Sequence, residues 1–433
     1  MKSFFNPPRI LIVLLLWGLA QGGPLLAQSS TAKDKYTLII EGYDWGPAVN
    51  KVVLPVSDTL ASMGKEAFRV TAHRSTQLAE MGPEESEGQR KVVYTYRSDG
   101  KGKRLAHGDH VTLVLYVAPN EVLGSPIKYI RANNRGSNQW LDYRMSVTHV
   151  PTGRSWNSEG HRLIPPIADF DLQGRYTQNG TTLSYASYAP NETGKHPLII
   201  WLHGGGEGGT DPSIPLLANK AAHYASDNIQ AYFGGAFVLV PQSPTFWMQA
   251  ANGAYTRGQE EDVYNAVLMG LIEQYVADHP TIDKDRVYVG GCSNGGYMSL
   301  KLILEHPDYF AAGYISALAY HNAYISDAQV ERIKHMPLWF LHAKDDGTTV
   351  PQETVLPLYE RLIAAGAEDT HLSFYDHVVD ITGFYGGADY HYNGHWSWIY
   401  SHANTANFDF DGSLVRINGM PVTLMEWMAK QSK

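Results

Sequence analysis

The sequence predicts an α/β domain, a mostly parallel sheet flanked by helices, preceded by an all-β sandwich of roughly immunoglobulin size. Three observations carry this. Residues 34–150 hold short β-rich runs and almost no helix signal. Beyond residue 167, strand-like and helix-like runs alternate, the pattern of a parallel sheet with helices on both faces. Within that stretch, "RVYVGGCSNGGYMSLKLILEHP" reads as strand, glycine turn and helix in direct succession.

The N-terminus begins "MKSFFNPPRILIVLLLWGLAQGGPLLAQSS". Lys2 and Arg9 are followed by an apolar run from Ile10 to Ala20, then by Leu25-Leu26-Ala27 before Gln28. This is the layout of a cleavable secretory signal over residues 1–27, too short and wrongly flanked for a transmembrane helix. The expected destination is periplasm or medium. Cys292 is the one cysteine in 433 residues, so no internal disulfide forms and stability must come from the cores. No cysteine follows the signal to carry a lipid anchor. A composition of 44% apolar and 18% charged residues is that of an ordinary globular chain. The net charge of −9 becomes more negative once Lys2 and Arg9 are removed. That argues against nucleic acid and anionic membrane as partners.

The sandwich is expected over residues 28–167. "YTLIIEGY", "VNKVVLPV", "FRVTAH", "KVVYTYR", "HVTLVLYV", "IKYIRA" and "YRMSVTHV" are strand-like, and "RSDGKGK", "APNE" and "NNRGSN" are turn clusters between them. Residues 151–174 are polar with Gly and Pro, and the boundary is placed near Ile167. The second domain is expected over residues 168–433. It opens on a hairpin with an Asn179-Gly180 turn. "HPLIIWLHGGG" is a buried strand running into a glycine loop, and "AFVLVPQSP" is another strand. "EEDVYNAVLMGLIEQYVADHP" is a helix with Val263, Val267, Leu271 and Tyr275 on one stripe and Pro280 as its stop. "MPLWFLHAKDD" is a strand ending in two acids, followed by the helix "TVLPLYERLIAAGA" and the strand "THLSFYDHV".

The chemistry centres on Gly291-Cys292-Ser293-Asn294-Gly295, a G-x-S-x-G string. A strand-to-helix turn this sharp needs small residues on both sides of the serine, and it lifts the hydroxyl above the sheet edge. The following helix aims its N-terminus at the same place, so the Asn294 amide can stabilise an oxyanion. Cys292 sits at the x position, whose side chain turns away from the cleft, and reads as a small buried residue. "WLHGGGEGG" can supply a second oxyanion amide, from Gly205 or, as runner-up, Gly206. No Lys-Ser/Thr pair closes these glycines, which excludes a phosphate-binding P-loop. His203 and Glu207 read as structural. Asp346, with Asp345 as the alternative, ends a strand where a carboxylate can orient an imidazole. His395 in "YHYNGHWSW" is the favoured base and His391 the runner-up. Asp389, His391 and His395 do not read as a metal site, because His-x-x-x-His gives one face only on a helix and this stretch reads as a loop. Trp247 and Trp396 are the candidate substrate-binding residues, and no cofactor is implied.

Together "LHGGGEGG", "PQSPTFWM", "GCSNGGYM", "HAKDDGTTVP" and "YNGHWSWIY" resemble bacterial secreted esterases of the α/β-hydrolase superfamily. These are related to carbohydrate-esterase and polyhydroxybutyrate-depolymerase-like enzymes, a group often labelled predicted peptidases. "EGYDWGPAVNKVVL" resembles the immunoglobulin-like domain that precedes the catalytic domain in EstA-type esterases. The resemblance implies Ser293 as nucleophile, Asp346 as acid, His395 as base, and Gly205 and Asn294 as oxyanion amides. The order Ser, Asp, His is that of the α/β-hydrolases. One departure is Gly347, which intervenes before "TTVP" and leaves both Asp345 and Asp346 open. The expected activity is a secreted serine carboxylesterase acting on short acyl groups, with acetyl or feruloyl esters on polysaccharides as candidate substrates. The rivals are a serine peptidase of the prolyl-oligopeptidase-like group and an inactive polysaccharide-binding protein. The sandwich could bind carbohydrate, cover the active-site mouth or mediate oligomerisation; an intramolecular contact or a homo-oligomer contact is favoured, since Trp45 and the other aromatics are too scattered to mark a sugar platform.

Overall fold

The computed structural model describes residues 35–56, 62–132 and 135–433. The leader expected over residues 1–27 lies outside them. All seven expected runs of the N-terminal region are strands. A five-stranded sheet has the order Ser158–Leu163, Lys35–Tyr43, Gly46–Pro55, His110–Leu115, Val92–Ser98. A four-stranded sheet has the order Arg154–Trp156, Asp142–His149, Phe68–Ser75, Glu87–Arg90. Alternate residues turn inward, as the two-residue period of a strand requires. Leu38, Ile40, Val52, Leu54 and Leu113 are buried with Val70, Met145, Val147 and Trp156 in one core. Ile127–Ala132 and Arg135–Trp140 pair as a hairpin that forms a small sheet of its own.

Four strands went unseen in the sequence: Glu87–Arg90, Arg135–Trp140, Arg154–Trp156 and Ser158–Leu163. All are short and polar. All four lie at sheet edges, where one neighbour supplies the hydrogen bonds and little apolar surface is needed. Residues 151–174, expected as a polar linker, thus contain two strands, one of which pairs in parallel with Lys35–Tyr43.

The second domain is built on one eight-stranded sheet. Its strands are β1 (Asp171–Gln178), β2 (Thr181–Tyr188), β3 (His196–Leu202), β4 (Phe237–Gln242), β5 (Ile282–Cys292), β6 (Ala312–Ser316), β7 (Leu338–Ala343) and β8 (Thr370–Tyr375). Their order is β1-β2-β4-β3-β5-β6-β7-β8. β1 and β2 are antiparallel, β2 runs against β4, and every other neighbouring pair is parallel. Asn179 and Gly180 take φ of 50° and 81°, the two left-handed residues that a tight β-hairpin turn needs. β3, β4 and β7 are buried along their whole length, because separate apolar cores cover the two faces of the sheet. The expected helix spans Asn265–Asp278 and buries Val267, Leu271 and Tyr275. Val263 precedes it and is exposed. No helix among the described residues is long and apolar enough to cross a membrane.

The parallel strands β3, β5 and β7 run in the same direction, so the loops after Leu202, Cys292 and Ala343 share one edge of the sheet. The sandwich meets this domain through specific polar contacts. Lys220 Nζ lies 2.7 Å from Asp44 Oδ1, and Trp140 Nε1 donates to Ser213 Oγ at 3.0 Å.

At the far edge, His371 on β8 sits between Asp409 and Asp369, at 2.7 and 3.1 Å. Trp427 Nε1 of the last helix donates to the same Asp369 carboxylate. Burial alone would lower the His371 pKa, but the two carboxylates outweigh it and raise it from 6.5 to about 9. The folded state therefore holds this proton more tightly than the unfolded chain. The stabilisation is complete below pH 6.5 and is lost as pH rises through about 9. Melting temperatures measured from neutral pH upward should fall across that window, and His371→Gln should flatten the decline.

Candidate active site

β5 ends at Cys292, and the helix Asn294–Glu305 starts two residues later. Ser293 makes the whole turn with φ 54° and ψ −113°, a strained conformation for a residue with a Cβ. The Ser293 amide donates to Ser316 O at 3.1 Å, and Ser293 O accepts from Tyr297 N. The glycines allow this approach. A Cβ at Gly295 would lie 1.8 Å from Leu202 O, and one at Gly291 would lie 2.5 Å from the same oxygen. Cys292 is fully buried, and burial raises its thiol pKa well above the ordinary value. It is a packing residue.

The β3 loop approaches from the other side. Ser243 N can only donate, and it meets His203 Nε2 at 3.1 Å. His203 Nδ1 therefore carries the proton and donates to Gly204 O at 2.6 Å. Burial lowers the His203 pKa to about 4, so the ring is neutral. Glu207 N also donates to Gly204 O, at 3.3 Å. A peptide unit is planar, with its C=O and the next N–H on opposite sides. Holding Gly204 O from behind therefore turns the Gly205 amide the other way. Gly205 and Asn294 line one cleft together with Ser293 and His395. The Asn294 amide opens its helix, where first-turn N–H groups lack intrahelical partners. Its side-chain Oδ1 accepts from Met248 N at 3.1 Å.

β7 leads into the acids. Asp346 is 3% exposed, and its Oδ2 accepts from His395 Nδ1 at 2.9 Å and Thr349 Oγ1 at 2.7 Å. Its Oδ1 accepts from the Thr348 and Thr349 amides at 2.8 and 2.9 Å. His342 Nε2 lies 3.2 Å away. Burial would raise the Asp346 pKa, but hydrogen bonds from His342 and His395 overcome it and hold the carboxyl far below the usual range. Asp345 turns outward to His377 Nδ1 at 2.8 Å, and His391 stacks on His377. Of the two acids and the two histidines left open by the sequence, Asp346 and His395 are the pair that meet. Among the described residues no hydrogen bond joins Ser293 Oγ to His395. The serine is tied to this pair by the cleft they share.

The cleft encloses about 850 Å³. Trp396 lines it, with Trp398 beside it. Trp247 does not reach it. That residue is fully buried beneath the loop, with its ring 5.0 Å from His203, and the neighbouring Met248 lines the cleft instead. The expectation of a substrate-facing Trp247 is therefore corrected: a large apolar ring below a glycine loop supports the loop from the core. Sequence reasoning assigned no residue to the opposite wall. Trp45, Tyr129, Arg131 and Asn138 come to the cleft from the N-terminal domain, and Tyr255 and Arg257 from the loop after β4. Nothing in "IKYIRA" marks a strand whose Tyr129 faces another domain's site.

Residues 35–159 match the family model described as the esterase Ig-like N-terminal domain. The N-terminal sandwich is an EstA-type immunoglobulin-like domain. Residues 245–329, which include the Ser293 turn, match the prolyl oligopeptidase family. The chain is an immunoglobulin-like region matched by the esterase Ig-like model, followed by a domain of α/β-hydrolase-like fold. It is 22% identical to a solved structure titled a thermostable esterase, covering 92% of this chain and all of that one with a TM-score of 0.71. That likeness shows the shared fold. Acetylxylan esterase A of Emericella nidulans is 27% identical over 208 residues, 44% of this chain and 58% of its own length. Feruloyl esterase B of Thermothelomyces thermophilus is 28% identical over 142 residues, 32% of this chain and 45% of its own length. The chain thus spans about half the length of these curated relatives.

A methyl group at Gly295 has nowhere to go, whereas one at Gly347 meets open space. Gly295→Ala should cost about 3 kcal/mol or more in stability through forced overpacking. Gly347→Ala should stay within about 0.5 kcal/mol. Chemical denaturation of the two variants side by side checks this.

Proposed function

We propose that the protein is a serine carboxylesterase that hydrolyses short-chain acyl esters, carried on small molecules or carbohydrates, through a covalent acyl-enzyme. The observation that carries the reading is the buried Asp346–His395 pair opening onto the same cleft as a strained Ser293. Ser293 Oγ attacks the ester carbonyl carbon while His395 Nε2 takes its proton. Asp346 holds Nδ1–H and favours the imidazolium that forms. The Gly205 and Asn294 amides receive the oxyanion. Collapse of the intermediate expels the alcohol, which takes the proton from His395. Water, activated by the same histidine, then releases the acid and restores Ser293.

The relatives named for acetylxylan and feruloyl esters support an acyl group linked to a plant polysaccharide. The aromatic walls, with Trp45, Tyr129, Tyr255, Trp396 and Trp398, suit a sugar or aryl ring. Export through residues 1–27 belongs to the same proposal. A peptidase reading draws on the match of residues 245–329 to the prolyl oligopeptidase family.

Hydrolysis of p-nitrophenyl acetate, butyrate and octanoate, compared with a proline p-nitroanilide, separates the two readings. The expected order is acetate or butyrate first and the anilide last. Ser293→Ala should lower kcat by about a thousandfold or more, as loss of a triad nucleophile does. Turnover that survives that substitution would overturn the reading.

A further inference from the structure

The hairpin Ile127–Ala132 and Arg135–Trp140 belongs to the immunoglobulin-like domain, yet it is bonded directly to the glycine loop of the other domain. Asn138 N donates to Gly206 O at 2.7 Å, and Asn138 Nδ2 donates to Glu207 Oε1 at 2.8 Å. Arg135 Nη2 donates to Gly208 O at 3.0 Å and Thr245 O at 2.6 Å. Three successive residues of the loop, Gly206, Glu207 and Gly208, are thus fixed by one strand of the neighbouring domain.

Glu207 is the unusual member. It is 5% exposed and lies directly under the loop, so close that a Cβ at Gly204 would be 2.9 Å from its Oε2. Among the described residues no cation pairs with it: Asn138 donates to it, and Asn219 and the Gly204 backbone lie near enough to favour its charged form. Asn219 Oδ1 meets Gly204 N at 3.4 Å, which leaves the Asn219 amide group to donate to Glu207. The carboxyl therefore lies between two asparagines, one from each domain, and accepts from Asn138. The amide of Glu207 in turn holds Gly204 O, the oxygen that determines where Gly205 N–H points.

We infer that Asn138 and Glu207 form a latch across the domain boundary that aims the Gly205 amide, with Asn138 as a positioning residue supplied by the immunoglobulin-like domain. This rests on the esterase reading of the cleft. It assigns the N-terminal domain a part in the reaction step itself, beyond forming a wall of the cleft.

Exchanging donor and acceptor tests it. Asn138→Asp sets two carboxyls against each other. Glu207→Gln leaves one amide facing another at Asn219 or at Asn138. In the double variant, the amide nitrogen introduced at position 207 donates to the carboxylate introduced at position 138. The amide oxygen at position 207 accepts from Asn219, so the bond across the boundary is remade in the opposite sense and the one to Asn219 is kept. Complete loss of an oxyanion donor costs about a hundred- to a thousandfold in kcat. A misaimed donor should cost about tenfold, with KM changed less than about twofold, since the ground-state contacts remain. Each single variant should show that loss, and the double variant should recover most of it. Additive losses in the double variant, or Asn138→Asp with unchanged kcat and only a lower melting temperature, would overturn the latch. If Asn138→Asp does not fold, Asn138→Ala takes its place: it removes the donor without adding a charge, and unchanged kcat there is equally decisive against the latch. The two readings fail differently. A wild-type chain that turns over no ester defeats the functional reading, whereas wild-type turnover that survives the Asn138 substitutions defeats the latch alone.

Discussion

One backbone contact governs the site: the helix after Ser293 lies so close to β3 that the Leu202 carbonyl leaves no room for a side chain at Gly295. β3 and β5 are neighbours, with Leu202 opposite Gly291. Bringing the helix down onto β3 therefore places the two strand-end loops against each other. The proposed oxyanion amides, Gly205 after β3 and Asn294 after β5, converge because of it. The strain at Ser293 is the counterpart of that closeness. A relaxed serine would require the helix to start further from the sheet, and the donors would separate.

The acid arm obeys a different constraint. Asp346 is nearly inaccessible to water, which would ordinarily favour its neutral form. It keeps its charge because two backbone amides, the Thr349 hydroxyl and two imidazoles surround it. Those partners come in part from the tight turn that follows β7, where Thr348 and Thr349 fold back on the carboxylate. Gly347, the residue that departs from the related string, lies within this turn, and a side chain there would meet only open space. Asp345, one position before Asp346, is carried to the outside by the same geometry.

Much of this was legible in the sequence because it is local. Strand periodicity located all seven expected strands of the sandwich, and the Asn179-Gly180 hairpin followed from turn chemistry. The strand–glycine–helix succession located Ser293. The choice between Asp345 and Asp346 was not legible, since it depends on which way a turn rotates two adjacent carboxylates. Trp247 was misplaced for a related reason: a tryptophan in a cleft-edge loop reads the same whether its ring points up to solvent or down under the loop. The edge strands Arg154–Trp156 and Ser158–Leu163 escaped because their stability comes from neighbours distant in sequence. The contribution of Tyr129, Arg131 and Asn138 lies further still from local signals, since it depends on how two separately legible domains dock.

The cleft has a divided origin. Every group proposed to make or break a bond lies after residue 202, while Trp45, Tyr129 and Arg131 approach from before residue 132. The proposed reacting groups thus come from one domain, while the walls around them are shared, with Tyr255, Arg257, Trp396 and Trp398 completing the cleft from the second. On the proposed reading, changes at Tyr129 or Arg131 would reshape the cleft while leaving the strained Ser293 turn in place. The same division exposes the protein to a particular kind of failure, in which each domain folds soundly and the enzyme is lost because the two no longer meet.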